Sequence, residues 1–234
     1  MNIILQTLFS PVKAFSELKQ ENKFPVVALV ILLLLIVINS ILMVPITSKI
    51  MTTTMSSMPL PEKQLDTTLS MMHQLRYLLV IGVVFSTAIT LFLQALLLYI
   101  ITVVAKPAIT YIKSFSLIVY SYFAILFGNL INTGIIFIRG LDKITNQYEL
   151  TSMTGLNLLT TVEKAGAAIY IPLTYINPFQ IWFIVLLSIV LKIFVDIKYT
   201  KALLICVIFW LITLIFPVVS GIFSEIAMNK AGLM

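Results

Sequence analysis

His73 is the only histidine in the sequence and Cys206 the only cysteine, so the side chains that could do chemistry are quickly placed. Thioethers gather near His73: Met51, Met55 and Met58 fall at i, i+4, i+7, and Met71 and Met72 adjoin the imidazole. That spacing sets three sulfurs on one helical face, and thioethers with an imidazole are soft ligands suited to Cu(I). Methionine more often serves as an adaptable apolar surface, and that reading is favoured. No second histidine completes a metal site, and no nucleophile is paired with a base. The expectation is a protein that is not an enzyme and has no cofactor.

A second group could line a path or hold helices together. Gly82, Ser86, Thr90 and Gln94 recur every four residues inside one apolar run, which puts small and hydrogen-bonding side chains on one helix face. Ser121, Ala124, Gly128 and Asn132 share a face of the next run, with Asn129 beside them. An unsatisfied amide at membrane depth costs several kcal/mol, so both asparagines need partners. Gln94 is the natural candidate to meet one of them. A translocation path is one reading of this seam and ordinary helix packing the other, with packing favoured.

The elements that must carry these residues follow from composition. Of 234 residues, 60% are hydrophobic and 10% charged, with a mean hydropathy of +1.10. Soluble domains are about 25% charged. Several apolar runs reach about 20 residues, enough to cross a hydrocarbon core of roughly 30 Å. Soluble enzymes and disordered scaffolds are excluded. The net charge of +6 comes from lysines scattered singly between apolar runs, a topology signal rather than a nucleic-acid stripe. The fold class is all-α: a polytopic membrane helix bundle of about five transmembrane helices with a short N-terminal interfacial helix.

The spans are expected at 25–44, 77–105, 115–138, 179–195 and 202–222, making 24–222 the membrane domain. Outer loops occupy 45–76 and 139–178, and 223–234 is an outer tail. Residues 1–23 form the interfacial segment: Ser10-Pro11 starts a helix, and Val12, Phe15 and Leu18 face opposite Lys13, Glu17, Lys19 and Gln20. Phe15 is expected to turn toward the acyl chains. No secretory signal peptide is recognised, so the first span is read as an uncleaved anchor. Lysine and arginine are densest in the short segments on the N-terminal side of the membrane, which favours a cytoplasmic N-terminus and an outer C-terminus. No Asp, Glu, Arg or His lies in the middle third of any span, which argues against a proton-driven transporter.

The order of certain motifs resembles a known family. Phe9-Ser10-Pro11 with Phe15 precedes the first span, Asn177-Pro178-Phe179-Gln180-Ile181-Trp182 opens the fourth, and Tyr199-Thr200-Lys201-Ala202 opens the fifth. Together they resemble the Yip family of Ypt/Rab-interacting integral membrane proteins, especially its small bacterial members, from about Phe9 to Ile222. The resemblance implies five helices and no catalytic residues. Eukaryotic relatives bind small GTPases in vesicle trafficking, whereas some bacterial members look like accessory subunits of ABC-type exporters that protect against antimicrobial peptides.

The chain has no Gly-x-x-x-x-Gly-Lys-Ser/Thr motif, so energy for transport would come from a partner. The expected function is a non-catalytic subunit of the cell membrane that binds another integral membrane protein, such as an ABC-type exporter. Alternatives are a small channel or carrier for a neutral or amphipathic solute, and a lipid-organising factor. Expected partners are thus the lipid bilayer and a second membrane protein, with no nucleic acid. The packing or partner seam comprises Gly82, Ser86, Thr90, Gln94, Gly128, Asn129 and Asn132. The cytoplasmic contact face comprises Phe15, Lys106, Lys113, Lys198 and Lys201.

Overall fold

Helix follows helix along the chain, as the apolar runs require. The computed structural model describes residues 3–20, 25–56, 62–106, 109–140, 150 and 154–230. The elements are α1 (Ile3–Phe9), α2 (Pro11–Gln20), α3 (Val26–Ser56), α4 (Glu62–Val104), α5 (Tyr111–Arg139), a 3-10 turn (Leu156–Leu159), α6 (Val162–Ala165), α7 (Ala167–Tyr175), α8 (Pro178–Val195) and α9 (Tyr199–Lys230). No strand occurs among the described residues. Five helices are long and apolar enough to cross a membrane.

The centre of the bundle is α5, which packs against α1, α3, α4 and α8. Its most apolar stretch is 61% buried, against 17% for α3 and 22% for both α4 and α9. It is also the least hydrophobic of the five spans, and α3 the most. In lipid the apolar faces turn outward and the hydrogen-bonding residues are kept between helices, so α5 takes the middle because it carries the serines and asparagines. Thr110 caps its start by accepting from the Lys113 N–H at 3.4 Å. At the same end, Phe92 stacks on Phe115 at 4.7 Å and the Tyr111 hydroxyl donates to the Phe92 carbonyl at 3.3 Å, fastening α4 to α5.

The segment 45–76, expected as a loop, is helical from 45 to 56 and from 62 to 76. Its Thr and Ser residues do not interrupt helix, because their hydroxyls bond back to carbonyls three or four residues earlier. Thr47 donates to Met43 and Val44, Thr52 to Ser48, Thr53 to Lys49 and Ser70 to Thr67. Pro45 sits inside α3 without ending it. The first two spans are therefore arms of long helices.

The N-terminal pair also departs from expectation. Phe15 is fully buried in the core, and α2 packs on α8. The Lys19 ammonium donates to the Ile193 carbonyl at 2.7 Å, near the end of α8. The exposed apolar residues are Phe9 and Val12 instead. Of the expected apolar face of α2, Phe15 docks on protein while Val12 stays exposed, and the side chain of Leu18 lies outside the described residues.

Helical structure also occupies part of the segment 139–178, expected as an outer loop. That segment contains α7, a nine-residue apolar helix that packs along α9. The Glu225 carboxylate accepts from the Ala167 N–H at 2.9 Å, and Gly221 lies against Ile171. Further along, Phe183 of α8 meets Phe209 at 6.4 Å, and Ser188 lies beside Cys206. The partner on α9 thus steps down steadily as residues are gained through α7 and into α8, with no jump between them. Alone, α8 has 18 residues, a rise of about 27 Å, slightly less than the roughly 30 Å hydrocarbon core. α7 extends α8 along α9, and the two are separated by a break at Ile176-Asn177.

Candidate functional site

Asn177 holds the break together. Proline at 178 favours extended backbone in the residue before it, and Asn177 adopts φ −135°, ψ 160°. Its Oδ1 then accepts from the N–H groups of Phe179 (3.0 Å) and Gln180 (2.9 Å), capping α8, while its Nδ2 donates to the Thr174 carbonyl of α7 at 2.8 Å. One amide satisfies the ends of both half-helices. The Ile176 carbonyl accepts from the Leu156 N–H at 3.1 Å, so the 3-10 turn pairs part of the unwound backbone. Gly155 makes that approach possible: a Cβ there would stand 2.9 Å from the Thr174 carbonyl oxygen and 3.0 Å from that of Leu173. Asn157, buried in the same turn, donates from Nδ2 to the Tyr170 hydroxyl at 3.1 Å.

Across from the break stands the polar face of α5. Gly128 receives Phe179, and a Cβ at 128 would lie 2.5 Å from that ring's Cγ. Phe127 meets the same ring edge-on, centroids 6.1 Å apart. Above this contact is a recess of about 30 Å³ lined by Gly128, Asn129, Asn132, Thr154, Asn177 and Gln180, with Phe179 and Ile125 as its apolar walls. Asn132 donates to the Leu150 carbonyl at 3.0 Å. Next to it, Thr133 donates to Asn39 Oδ1 of α3 at 2.8 Å. From Lys113 to Gly128 the helix rises about 22 Å and from Gly128 to Arg139 about 16 Å. The recess therefore lies within the hydrocarbon thickness.

A family model described as the Yip1 domain matches residues 5–221. The chain belongs to the Yip1-domain family. No match is found among curated proteins or among solved structures. In this Yip1-domain protein the Asn-Pro-Phe motif is the break itself: asparagine caps, proline starts α8, and phenylalanine fills the space over Gly128.

The remaining candidate residues are distributed as follows. Ser121, Ala124, Gly128 and Asn132 are all buried, as a packing face requires. Asn129 is exposed in the recess. Gln94 does not meet either asparagine, and its Oε1 is buried without a hydrogen-bond partner. Asn132 is turned toward Leu150, so the expected bridge from α4 is absent. Gly82, Ser86 and Thr90 are exposed, and a Cβ at Gly82 would meet nothing within 4 Å. Ser86 and Thr90 return their hydroxyls to the carbonyls of Val83 and Ser86. Among the described residues, no helix occupies the face where one was expected to approach.

Lys106, Lys198 and Lys201 are exposed and Lys113 half-buried, at the helix ends nearest α2. Phe15 is not beside them on the surface. Met51 is exposed on α3, while Met58 lies outside the described residues. Sequence reasoning missed Asn39, Gly155 and Gln180. Asn39 carried a readable signal, an amide alone in the most hydrophobic run. Gly155 and Gln180 carried none, because their roles depend on distant chain segments.

Proposed function

We propose that this Yip1-domain membrane protein is a non-catalytic subunit that docks another integral membrane protein. The observation that carries the reading is the exposed face of Gly82, Ser86 and Thr90, a close-approach surface on α4 with no helix of the described residues against it. Small residues let helix backbones come near enough for dispersion and hydrogen bonding to hold a pair in lipid. An ABC-type exporter is the partner class suggested by the bacterial relatives, and protection against antimicrobial peptides the associated role. In this reading the protein resides in the cell membrane with its N-terminus in the cytoplasm and C-terminus outside. Lys106, Lys113, Lys198 and Lys201 then face the partner's cytoplasmic part or anionic lipid.

The test is co-purification from native membranes in mild detergent. Gly82→Leu and Ser86→Leu should reduce the partner's yield at least fivefold while leaving the isolated chain's thermal stability nearly unchanged, since a Cβ at Gly82 meets nothing and exposed Ser86 bonds only within its own helix turn. Undiminished co-purification of a stoichiometric partner by both variants would remove α4 as the docking face. A second reading, a carrier of neutral solutes, is favoured by the helix break beside a polar recess, an arrangement that transporters use for binding sites.

A further inference from the structure

The recess at the break carries two amides whose hydrogen-bonding capacity is unused. Asn129 is exposed and Gln180 half-buried, one on α5 and one on α8, and both line the same space. No hydrogen bond from another described residue reaches either side-chain amide. Amides left bare at membrane depth cost several kcal/mol each, so their placement together needs an occupant. Water can fill the space when nothing else does, because about 30 Å³ exceeds the roughly 10–15 Å³ that one water requires.

The lining also selects the charge of that occupant. The first N–H groups of α8 are already taken by Asn177 Oδ1, so the helix start does not present them to an anion. Around the end of α7, the Leu173, Thr174 and Ile176 carbonyls already accept from Ile176 N–H, Asn177 Nδ2 and Leu156 N–H, which leaves few bare oxygens for a cation. Among the described residues, no ionisable side chain lines the recess. What remains is a pair of groups that each donate and accept. We propose that the recess is a binding site for a small neutral group that both donates and accepts hydrogen bonds, a carboxamide or a hydroxyl, held between Asn129 and Gln180. Phe179 and Ile125 supply its apolar walls. The group belongs either to a dissolved solute or to the glycerol portion of a lipid. This inference is independent of the α4 docking face.

The experiment uses the full chain in nanodiscs of phosphatidylcholine, with Cys206→Ser and a single reporter, Thr154→Cys, at the recess wall. The rate of maleimide labelling is measured with acetamide, glycerol, acetate or methylammonium added at equal concentration. Acetamide or glycerol should slow labelling at least threefold, and the two ions by less than 1.5-fold. Asn129→Leu with Gln180→Leu should abolish that protection. Gln180→Glu, which keeps size and adds charge, should transfer it to methylammonium. Repeating the measurement in phosphatidylglycerol nanodiscs separates the sources: slowing without added solute identifies a lipid hydroxyl, and slowing only with added solute identifies a dissolved one. Equal effects of neutral and charged probes, protection that survives the double leucine variant, or no protection in any arm would overturn the proposal.

Discussion

Gly128 of α5 and Phe179 of α8 are fitted to one another: the ring lies where a Cβ at 128 would be, 2.5 Å from its Cγ and 2.7 Å from its Cβ. The contact joins a glycine in the polar stripe of one span to the phenylalanine of the Asn-Pro-Phe motif, two features 51 positions apart in sequence. Those atoms belong to the root of the side chain, which cannot swing away without moving α8. Gly128→Ala should therefore destabilise the detergent-solubilised protein by about 1–3 kcal/mol, as overpacking does. Phe179→Ala added to it should recover part of the loss, which a double-mutant cycle in thermal or denaturant unfolding would measure. Independent, additive losses would show that the two residues do not share the contact.

Asn177 serves two helix ends with one side chain. Asn177→Asp keeps the Oδ1 cap on α8 but removes the donor to the Thr174 carbonyl, whereas Asn177→Ala removes both. The alanine variant should lose about 0.5–2 kcal/mol from the cap alone and the aspartate variant less. Hydrogen exchange at residues 173–176 should rise in both, and at 179–180 only in the alanine variant.

Gln94 and Asn132 should respond in opposite ways to the same change. Asn132→Leu discards the hydrogen bond to Leu150 and should cost about 0.6–2 kcal/mol. Gln94→Leu removes a buried Oε1 that has no partner and should be neutral or stabilising. Thermal unfolding in detergent checks both, and equal destabilisation would restore the expected Gln94–asparagine pairing.

Phe15 belongs to the core, so Phe15→Ala should destabilise the bundle by about 3–5 kcal/mol. Lys13 is exposed, and Lys13→Gln should leave stability within about 0.5 kcal/mol of the parent. Any loss of a partner in the phenylalanine variant is then to be judged against the protein's own unfolding, measured in the same detergent.

Orientation is tested with single cysteines in a Cys206→Ser background. Thr53→Cys and Lys164→Cys, both at exposed positions, should react with an impermeant maleimide in intact cells. Thr110→Cys, exposed at the other end of α5, should react only after permeabilisation. Labelling of position 110 from outside would reverse the proposed topology.

The sequence by itself determined the class of fold, the five membrane-crossing helices and the family, because each rests on local properties. Apolar runs of sufficient length must become helices in lipid, where every backbone group has to be paired within its own segment. It also marked the buried stripe of α5, since residues four apart share a face wherever the helix goes. Tertiary structure alone decided what each face meets. The stripe at Gly82, Ser86 and Thr90 has the same spacing as that at Ala124, Gly128 and Asn132, yet the first is open and the second buried. Spacing sets which side chains lie together, and only packing sets what stands opposite them. The break before α8 was hidden for the same reason: α7 is too short to be read as a span, and only packing along α9 shows that it continues α8. Phe15 was placed on the correct face of its helix and against the wrong medium, because an apolar face is equally satisfied by acyl chains and by the side chains of α5 and α8.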